Sequence, residues 1–404
     1  MGSVWIGRLK LNWDNWLTCL QSIGMLLGPV MTFSWLITAL FVYLVLRTDM
    51  STALVVSACL APTDPVLAAS VLSSRFSERV PRRIRHMLSA ETGCNDGVSF
   101  PFLYAGLLAI VEATTGAAVK EWFLATILWQ CLLGTAVGLV IGHFSNRALR
   151  IAEARNYIDP SSFLVFYFLL AILSIGIGST LGLDDFLLAF GTGTGFAWDG
   201  WFANKTRATH LPQVLDLLLN SSMFVYFGAI IPWSDFSPHE ATPHITPGRL
   251  LGLLALILLF RRIPIVLALK RFIPDIYTYR EALFTGHFGP MGLGAVFLAI
   301  EARGMLETGT PQPKPHPPKH SPHKSAIETV WPVVSFVILG SIMVHGLSVA
   351  AISVGSHFSR KEGERAPLIG AETEGLHGMV HEGGDGESEP SVSGDEHPDP
   401  VDHQ

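Results

Sequence analysis

The sequence comprises 404 residues, of which 49% are hydrophobic and 15% are charged, and its mean hydropathy is +0.41. A soluble domain of this size has about a quarter charged residues, so the composition excludes a soluble enzyme and favours a membrane protein. The formal net charge of −6 says little about partners, because most of the acidic excess lies in the last 45 residues. We expect no nucleic-acid partner.

Ten consecutive apolar runs follow one another along the chain, most of them close to the ~20 residues that a helix needs to cross a ~30 Å hydrocarbon core. In chain order they lie at 17–46, 52–72, 88–111, 122–144, 162–181, 186–202, 214–232, 250–269, 282–300 and 330–354. Continuous runs of this kind indicate helices, because each backbone polar group must be satisfied within the membrane. We therefore predict an all-α polytopic membrane protein with about ten transmembrane helices.

The segments outside these runs differ in character. Lys and Arg concentrate in the loops that would share one side with both termini, which predicts that both termini are cytoplasmic. Residues 1–16 then form a cytoplasmic N-terminal segment, and 303–326 form a Pro/His-rich loop on the other side. Residues 356–404 are rich in Gly, Asp, Glu and Pro, and we expect them to be a disordered acidic cytoplasmic tail.

The second span carries a carboxylate within a polar stretch. Asp64 follows Pro62 and Thr63 and precedes Pro65. Proline removes a backbone donor and disfavours helix at the residue before it, so this stretch is predicted to be unwound at membrane mid-depth. A simple proline kink is the alternative, but a kink does not explain a carboxylate at its apex.

The ninth span contains a second group of helix breakers. Gly286, Gly289, Pro290, Gly292 and Gly294 lie close together, which predicts a break around Gly289 and Pro290. Two interrupted spans, one in each half of the chain, are typical of secondary transporters built from inverted repeats with crossing broken helices.

The third span holds the strongest candidates for ion binding, because ionisable residues inside a membrane are costly and therefore functional candidates. Glu91 and Asp96 are five residues apart, point about 140° apart on a helix and cannot both serve one site. We assign the cation and the proton to Asp96, with Asn95 as a neutral dipole beside it. Thr63 and Asp64 would complete an oxygen shell for Na⁺ or Li⁺, since hard cations prefer oxygen ligands.

Glu91 faces another direction and needs a cationic partner. Arg262 in the eighth span is the available one, and Glu91 and Arg262 are predicted to form a structural ion pair. The neighbouring Arg261 is the alternative partner, and the sequence alone does not decide between the two arginines. His345 in the tenth span is interpreted as a helix-packing residue in preference to a proton relay.

At this point the residues carry a family resemblance. From about residue 17 to 355 the chain resembles the fungal plasma-membrane sodium/proton antiporters of the monovalent cation/proton antiporter superfamily. Six motifs in order carry the resemblance: TDPVLA (63–68), ETGCNDG (91–97), FVYFGAIIPW (224–233), FRRIP (260–264), GHFGPMGLGAVF (286–297) and IMVHGLS (342–348).

The resemblance implies a secondary transporter, not an enzyme, that exchanges Na⁺ and Li⁺, in some members also K⁺, for H⁺ in the plasma membrane, without a cofactor. Salt tolerance and pH homeostasis would be its roles. The family's ion-binding aspartate falls on Asp96, its unwound Thr-Asp pair on Thr63 and Asp64, and its buried Glu–Arg pair on Glu91 and Arg262.

The resemblance also implies a homodimer in the lipid bilayer. Each protomer would have a mobile core, at 17–111 and 250–354, and a scaffold or dimerisation part at 122–232. Family members have about three further spans before the one that starts near Leu17. We therefore expect this chain to lack the three N-terminal transmembrane helices.

Two other functions fit parts of the sequence. A truncated regulatory paralogue without transport activity would keep the same motifs. An intramembrane aspartyl protease would also use two membrane aspartates, here Asp64 and Asp96, but no GxGD stretch occurs in a span, and paired broken helices have no use in that chemistry. Complementation of a salt-sensitive, antiporter-deficient yeast strain would separate exchange from both alternatives.

Overall fold

The structure, a computed structural model, describes residues 20–64, 80–159, 162–205, 211–240, 242–314 and 321–358. Within these ranges the regular secondary structure is entirely helical. The α-helices are, in chain order, α1 Leu20–Leu46, α2 Met50–Cys59, α3 Arg82–Val111, α4 Thr115–Ala154, α5 Ser162–Leu181, α6 Asp185–Ala197, α7 Trp201–Lys205, α8 Leu211–Ile230, α9 Pro247–Phe260, α10 Ile263–Leu269, α11 Tyr279–His287, α12 Leu293–Thr308 and α13 Lys324–Phe358. The chain divides into two compact units, Met1–Leu347 and Ser348–Gln404, and every contact discussed below lies within the first.

Helices occupy each of the ten predicted spans. Among the described residues, five segments are long and apolar enough to cross a membrane: α1, α3, α4, α9 together with α10, and α13. The other predicted spans fall on shorter helices, and the ninth falls on the pair α11 and α12. The predicted all-α polytopic fold is therefore confirmed. The predicted N-terminal segment, the end of the second span and nearly all of the predicted tail lie outside the described residues.

Several helices begin where the sequence supplies a capping side chain. Asp49 caps α2, Asp184 caps α6 and Thr246 caps α9, each by accepting a hydrogen bond from a backbone amide of the first turn. Thr278 and Glu281 form a reciprocal capping box at the start of α11. These side chains satisfy amides that have no partner within the helix, which fixes the helix starts within the apolar sequence.

Glycines bring α4 and α6 into backbone contact. A Cβ atom added to Gly138 of α4 would lie only 2.2 Å from the carbonyl oxygen of Leu188 in α6. From the facing helix, a Cβ atom on Gly191 or Gly195 would lie 2.5 or 2.3 Å from carbonyl oxygens of α4. The helices can approach this closely only because these positions lack side chains. The Gly-rich stretch of the sixth span is thus a packing surface.

The largest apolar cluster joins buried residues of α1, α2, α3, α9, α12 and α13. Phe227 of α8 packs into the same cluster. A separate cluster takes one buried residue from each of α4, α5, α6 and α7, namely Leu149, Leu170, Phe196 and Phe202. The division into a core at 17–111 and 250–354 and a scaffold at 122–232 stays a prediction. The large cluster includes Leu60, directly after α2, and Met291, between α11 and α12, so apolar packing reaches both places where the chain leaves the helix.

Candidate functional site

The first interruption follows α2. This helix ends at Cys59, three residues before Pro62, and the chain then continues without helix through Thr63 and Asp64. Both residues are buried, with 2% of their surface exposed. Pro65 lies outside the described residues. The stretch that the prolines predicted to be unwound is non-helical as far as Asp64.

The second interruption spans residues 288–292, between α11 and α12. Gly289 and Pro290 lie inside it, as the sequence indicated. Gly286 and Gly294 do not break a helix, because they lie within α11 and α12. A Cβ atom on Gly286 would come within 2.9 Å of the backbone of α10, so this glycine serves close packing.

The two interruptions meet at Asp64. Its backbone amide donates to the carbonyl oxygen of Pro290 at 2.7 Å, and its Oδ2 accepts from the amide of Leu293, the first residue of α12, at 3.0 Å. A Cβ atom on Gly292 would lie 1.8 Å from the same Oδ2, so a larger residue there would displace the carboxylate. Asp64 therefore places negative charge at the positive N-terminal end of α12, where it is favourable.

Arg261 binds the opposite, carbonyl-bearing ends of the interrupted helices. Its Nη1 donates to the carbonyl oxygen of Leu60 just after α2, and its Nη2 donates to that of Gly289 at 2.5 Å after α11. Carbonyl groups at a helix C-terminus lack intrahelical partners and carry partial negative charge, so a buried guanidinium satisfies both. One side chain thus links the two interruptions.

Asp96 and Asn95 place side-chain oxygen atoms beside these interruptions. The Nδ2 of Asn95 donates to Oγ1 of Thr63 at 2.6 Å. In the described part of the chain, the Oδ1 atoms of Asn95 and of Asp96 are both buried without a hydrogen-bond partner. Other buried side-chain atoms in the described residues, such as Oδ1 of Asp185 and Oγ1 of Thr285, also lack a partner, but Asn95 and Asp96 are the pair among them that is adjacent in sequence. Oxygen atoms are the ligands that hard cations prefer.

The N-terminal turn of α12 lies against both aspartates. A Cβ atom on Gly294 would lie 2.2 Å from Oδ1 of Asp96, just as one on Gly292 would meet Asp64. The two carboxylates therefore contact glycines that are two residues apart on one backbone. They differ in their contacts: Oδ2 of Asp64 accepts the amide of Leu293, whereas Oδ1 of Asp96 has no hydrogen-bond partner among the described residues.

Glu91 and Arg262 form a buried, bidentate ion pair. Nη1 and Nη2 of Arg262 donate to Oε1 and Oε2 of Glu91 at 2.6 and 2.7 Å, and Nε donates to the carbonyl oxygen of Thr285 at 3.1 Å. The pair connects α3, the junction of α9 and α10, and α11. The structure thereby separates the two arginines: Arg262 binds the carboxylate, and Arg261 binds the carbonyl groups.

Sequence reasoning missed polar contacts made by two further helices. Ser341 of α13 accepts a hydrogen bond from the amide of Met291 at 2.9 Å. In the middle of α12, the buried Glu301 accepts a hydrogen bond through Oε1 from the hydroxyl of Tyr104 in α3 at 2.9 Å. Glu301 directly follows the ninth predicted span, 282–300, and a carboxylate at the edge of a span was a signal for it. A serine in an apolar helix gives no sequence signal of such a contact.

Two interrupted helices that meet beside buried carboxylates are typical of secondary transporters. The family model for the transmembrane part of sodium/hydrogen exchangers matches residues 8–355. The chain therefore belongs to the sodium/hydrogen exchanger family, and the resemblance predicted from the six motifs is confirmed.

Fungal relatives match the same region. The chain is 46% identical over 344 residues to Na(+)/H(+) antiporter 2 of Zygosaccharomyces rouxii and 48% identical over 345 residues to the Na(+)/H(+) antiporter of Saccharomyces cerevisiae. Each alignment covers 84% of this chain but only 42% and 35% of the relatives. The chain thus spans less than half the length of these two proteins. A Schizosaccharomyces pombe Na(+)/H(+) antiporter is 35% identical over 342 residues, which cover 83% of this chain and 71% of that protein.

The fold is similar to that of a solved archaeal protein. The sodium proton antiporter MjNhaP1 from Methanocaldococcus jannaschii aligns with a TM-score of 0.60 and 16% identity, over 94% of this chain and 83% of that chain. At this identity the likeness concerns the fold alone. It supports the inverted-repeat antiporter fold with two crossing broken helices that the interrupted spans predicted.

Proposed function

We propose that this protein exchanges Na⁺ for H⁺ across a membrane by alternating access, and that Asp96 binds the two ions in turn. The observation that carries the proposal is the pair of buried oxygen atoms without a partner, Oδ1 of Asp96 and Oδ1 of Asn95. Both belong to α3 and lie beside the interruptions of two other helices. The fungal relatives named as Na(+)/H(+) antiporters support the same pair of ions.

The site offers one charged and two neutral oxygen ligands. Asp96 supplies a carboxylate, Asn95 an amide oxygen, and Thr63, already hydrogen-bonded to Asn95 at 2.6 Å, a hydroxyl. Asp64 contributes negative charge but is committed to the N-terminus of α12 through Leu293. In this proposal a dehydrated Na⁺ binds between Asp96 and Asn95, and Asp64 with Thr63 sets the electrostatics around it.

Competition at one carboxylate would couple the two fluxes. The ionised carboxylate of Asp96 binds either a proton, which neutralises it, or Na⁺, but not both at once. A proton bound on one side of the membrane must therefore leave before Na⁺ binds, and the reverse holds on the return. This mechanism exchanges the ions without a second substrate site.

Alternating access requires the site to move as a unit relative to the rest of the carrier. The hydrogen bonds of Arg261 to the carbonyl groups of Leu60 and Gly289, and of Asp64 to Pro290, tie the two interruptions to each other. We propose that the core at 17–111 and 250–354 moves against the scaffold at 122–232, and that these bonds keep the site intact during the movement.

The finer features of the function are proposals that rest on the family resemblance. Li⁺ would be exchanged like Na⁺, and K⁺ is a further candidate. The protein would act as a homodimer in the plasma membrane with both termini in the cytoplasm, and it would serve salt tolerance and alkali-cation and pH homeostasis.

Expression in a salt-sensitive, antiporter-deficient yeast strain, followed by Na⁺-driven proton flux in proteoliposomes, tests the proposal. We expect the wild-type chain to restore growth on NaCl and Asp96→Asn to abolish both growth and flux. Asp199→Asn is the matched control, because this aspartate is exposed and pairs with Arg150. Proton-coupled Na⁺ flux through Asp96→Asn would refute the assignment of Asp96. A folded wild-type chain without flux would favour the regulatory paralogue.

A further inference from the structure

Two polar residues of α13 face the second interruption. Ser341 and His345 are one helical turn apart, and only 0% and 2% of their surfaces are exposed. Polar side chains buried to this degree need hydrogen-bond partners. Their partners lie at the two ends of the 288–292 interruption.

The hydrogen bonds form a continuous chain across this interruption. The amide of Met291 donates to Oγ of Ser341 at 2.9 Å, and this Oγ lies 3.3 Å from Nδ1 of His345. Nε2 of His345 lies 3.0 Å from the carbonyl oxygen of His287, the last residue of α11. Nδ1 of His345 lies closer to the carbonyl oxygen of Ser341, at 2.8 Å, than to its hydroxyl, so both ring nitrogens face carbonyl acceptors. The imidazole donates to one of them in its neutral form and to both when it is protonated.

These contacts supply what an interrupted helix lacks. The unwound backbone frees carbonyl and amide groups that a continuous helix would pair, and in a membrane these groups must be satisfied by neighbouring helices. The amide of Met291 is one such group, and the carbonyl of His287, which also accepts from the amide of Gly289 at 2.9 Å, is another. Arg261 binds a third, the carbonyl of Gly289, from another helix.

We propose that His345 and Ser341 are positioning residues for the cation site. They hold both ends of the 288–292 interruption, and so they fix the N-terminal turn of α12 that lies against Asp64 and Asp96. The inference deepens the proposed exchange function and rests on it for the identity of the ion. It assigns His345 neither a relay of protons nor packing alone.

The link to the ion site is short. Met291, which Ser341 binds, is followed directly by Gly292, which contacts the Asp64 carboxylate. Gly294, two residues further, contacts Oδ1 of Asp96. Releasing Met291 therefore changes the position of the backbone against both carboxylates, whereas a purely packing residue could be replaced by an apolar side chain of similar size.

The test uses the purified full chain and two readouts that do not require transport. Hydrogen–deuterium exchange of peptides that contain Met291 measures how firmly Ser341 and His345 hold the 288–292 interruption. The NaCl concentration that gives half of the Na⁺-induced rise in unfolding temperature measures the affinity for Na⁺. We compare wild type with His345→Leu, which removes the imidazole, and with His345→Gln, whose amide can both donate and accept. His143→Leu, at an exposed histidine of α4, is the control.

We expect His345→Leu to exchange faster at Met291 and to need roughly tenfold more Na⁺ for half-maximal stabilisation, as loss of a buried hydrogen-bond partner predicts. His345→Gln should recover most of both effects, and His143→Leu should match wild type. A reduced yield of folded protein with unchanged Na⁺ affinity in His345→Leu would overturn the inference, and so would unchanged exchange at Met291. Absence of proton-coupled Na⁺ flux in wild type would refute the proposed transport function. The positioning role of His345 and Ser341 would still be decided by the hydrogen–deuterium exchange at Met291.

Discussion

The Glu91–Arg262 pair provides the sharpest test of how the core is held together. Both side chains are buried, with 3% and 8% of their surfaces exposed, and the contact is bidentate at 2.6 and 2.7 Å. Removal of one partner of a buried ion pair leaves an uncompensated charge and typically costs about 3–5 kcal/mol. We therefore expect Glu91→Gln and Arg262→Met each to lower the free energy of unfolding by about this amount.

The double variant distinguishes a buried pair from two independent contacts. Glu91→Gln combined with Arg262→Met removes both charges of the pair, so its cost should fall about 0.5–3 kcal/mol short of the sum of the single costs. Arg262 also donates to the carbonyl of Thr285 at 3.1 Å, and the loss of this bond should keep the double variant less stable than wild type.

Unfolding of the purified protein by a denaturing detergent, followed by tryptophan fluorescence, measures these free energies. Glu153→Gln is the control, because its ion pair with Lys205 is exposed, and removal of such a pair should cost about 1 kcal/mol or less. Additive costs in the double variant, or single variants no worse than the control, would refute the interpretation of a buried structural pair.

Two further predictions concern glycines that allow close approach. Gly294→Ala would place a Cβ atom 2.2 Å from Oδ1 of Asp96, so we expect roughly a tenfold weaker apparent affinity for Na⁺ with little loss of folded protein. The control is Gly93→Ala on α3, where the added atom meets nothing within 4 Å and Na⁺-driven flux should stay unchanged. Equal Na⁺ affinities for the two variants would contradict the prediction. Gly138→Ala should separate α4 from α6 and lower the yield of folded protein seen by size-exclusion chromatography. Gly193→Ala is the control, because a Cβ atom there meets nothing within 4 Å and the yield should stay unchanged. A wild-type yield for Gly138→Ala would show that close contact of the two backbones is not needed for folding.

The interruptions were readable from the sequence because their causes are local. Proline removes a backbone donor and disfavours helix at the residue before it, and the chain is non-helical at Pro62 and at Gly289-Pro290. Pro101 and Pro332, by contrast, lie within α3 and α13, so a lone proline in an apolar run did not suffice as a signal. Asp96 and Glu91 stood out because charge inside a membrane needs a reason. The family motifs added the fold, which the archaeal structure supports.

Other parts of the site depend on contacts between distant segments. Gly292 and Gly294 resemble helix breakers in the sequence, but the reason for a glycine at each position is a carboxylate from another helix. Adjacent residues Arg261 and Arg262 carry the same chemistry, and their different partners, Gly289 and Glu91, come from distant segments of the chain. The contact of Ser341 with Met291 likewise joins residues 50 positions apart.

The apparent Km for Na⁺ as a function of pH tests the central claim most directly. If Na⁺ and H⁺ compete at Asp96, then in wild-type proteoliposomes each unit of acidification in the proton-saturated range should raise the apparent Km for Na⁺ about tenfold, while the maximal rate at saturating Na⁺ stays constant. A Km that is independent of pH, with acid acting only on the maximal rate, would contradict binding of both ions at one carboxylate.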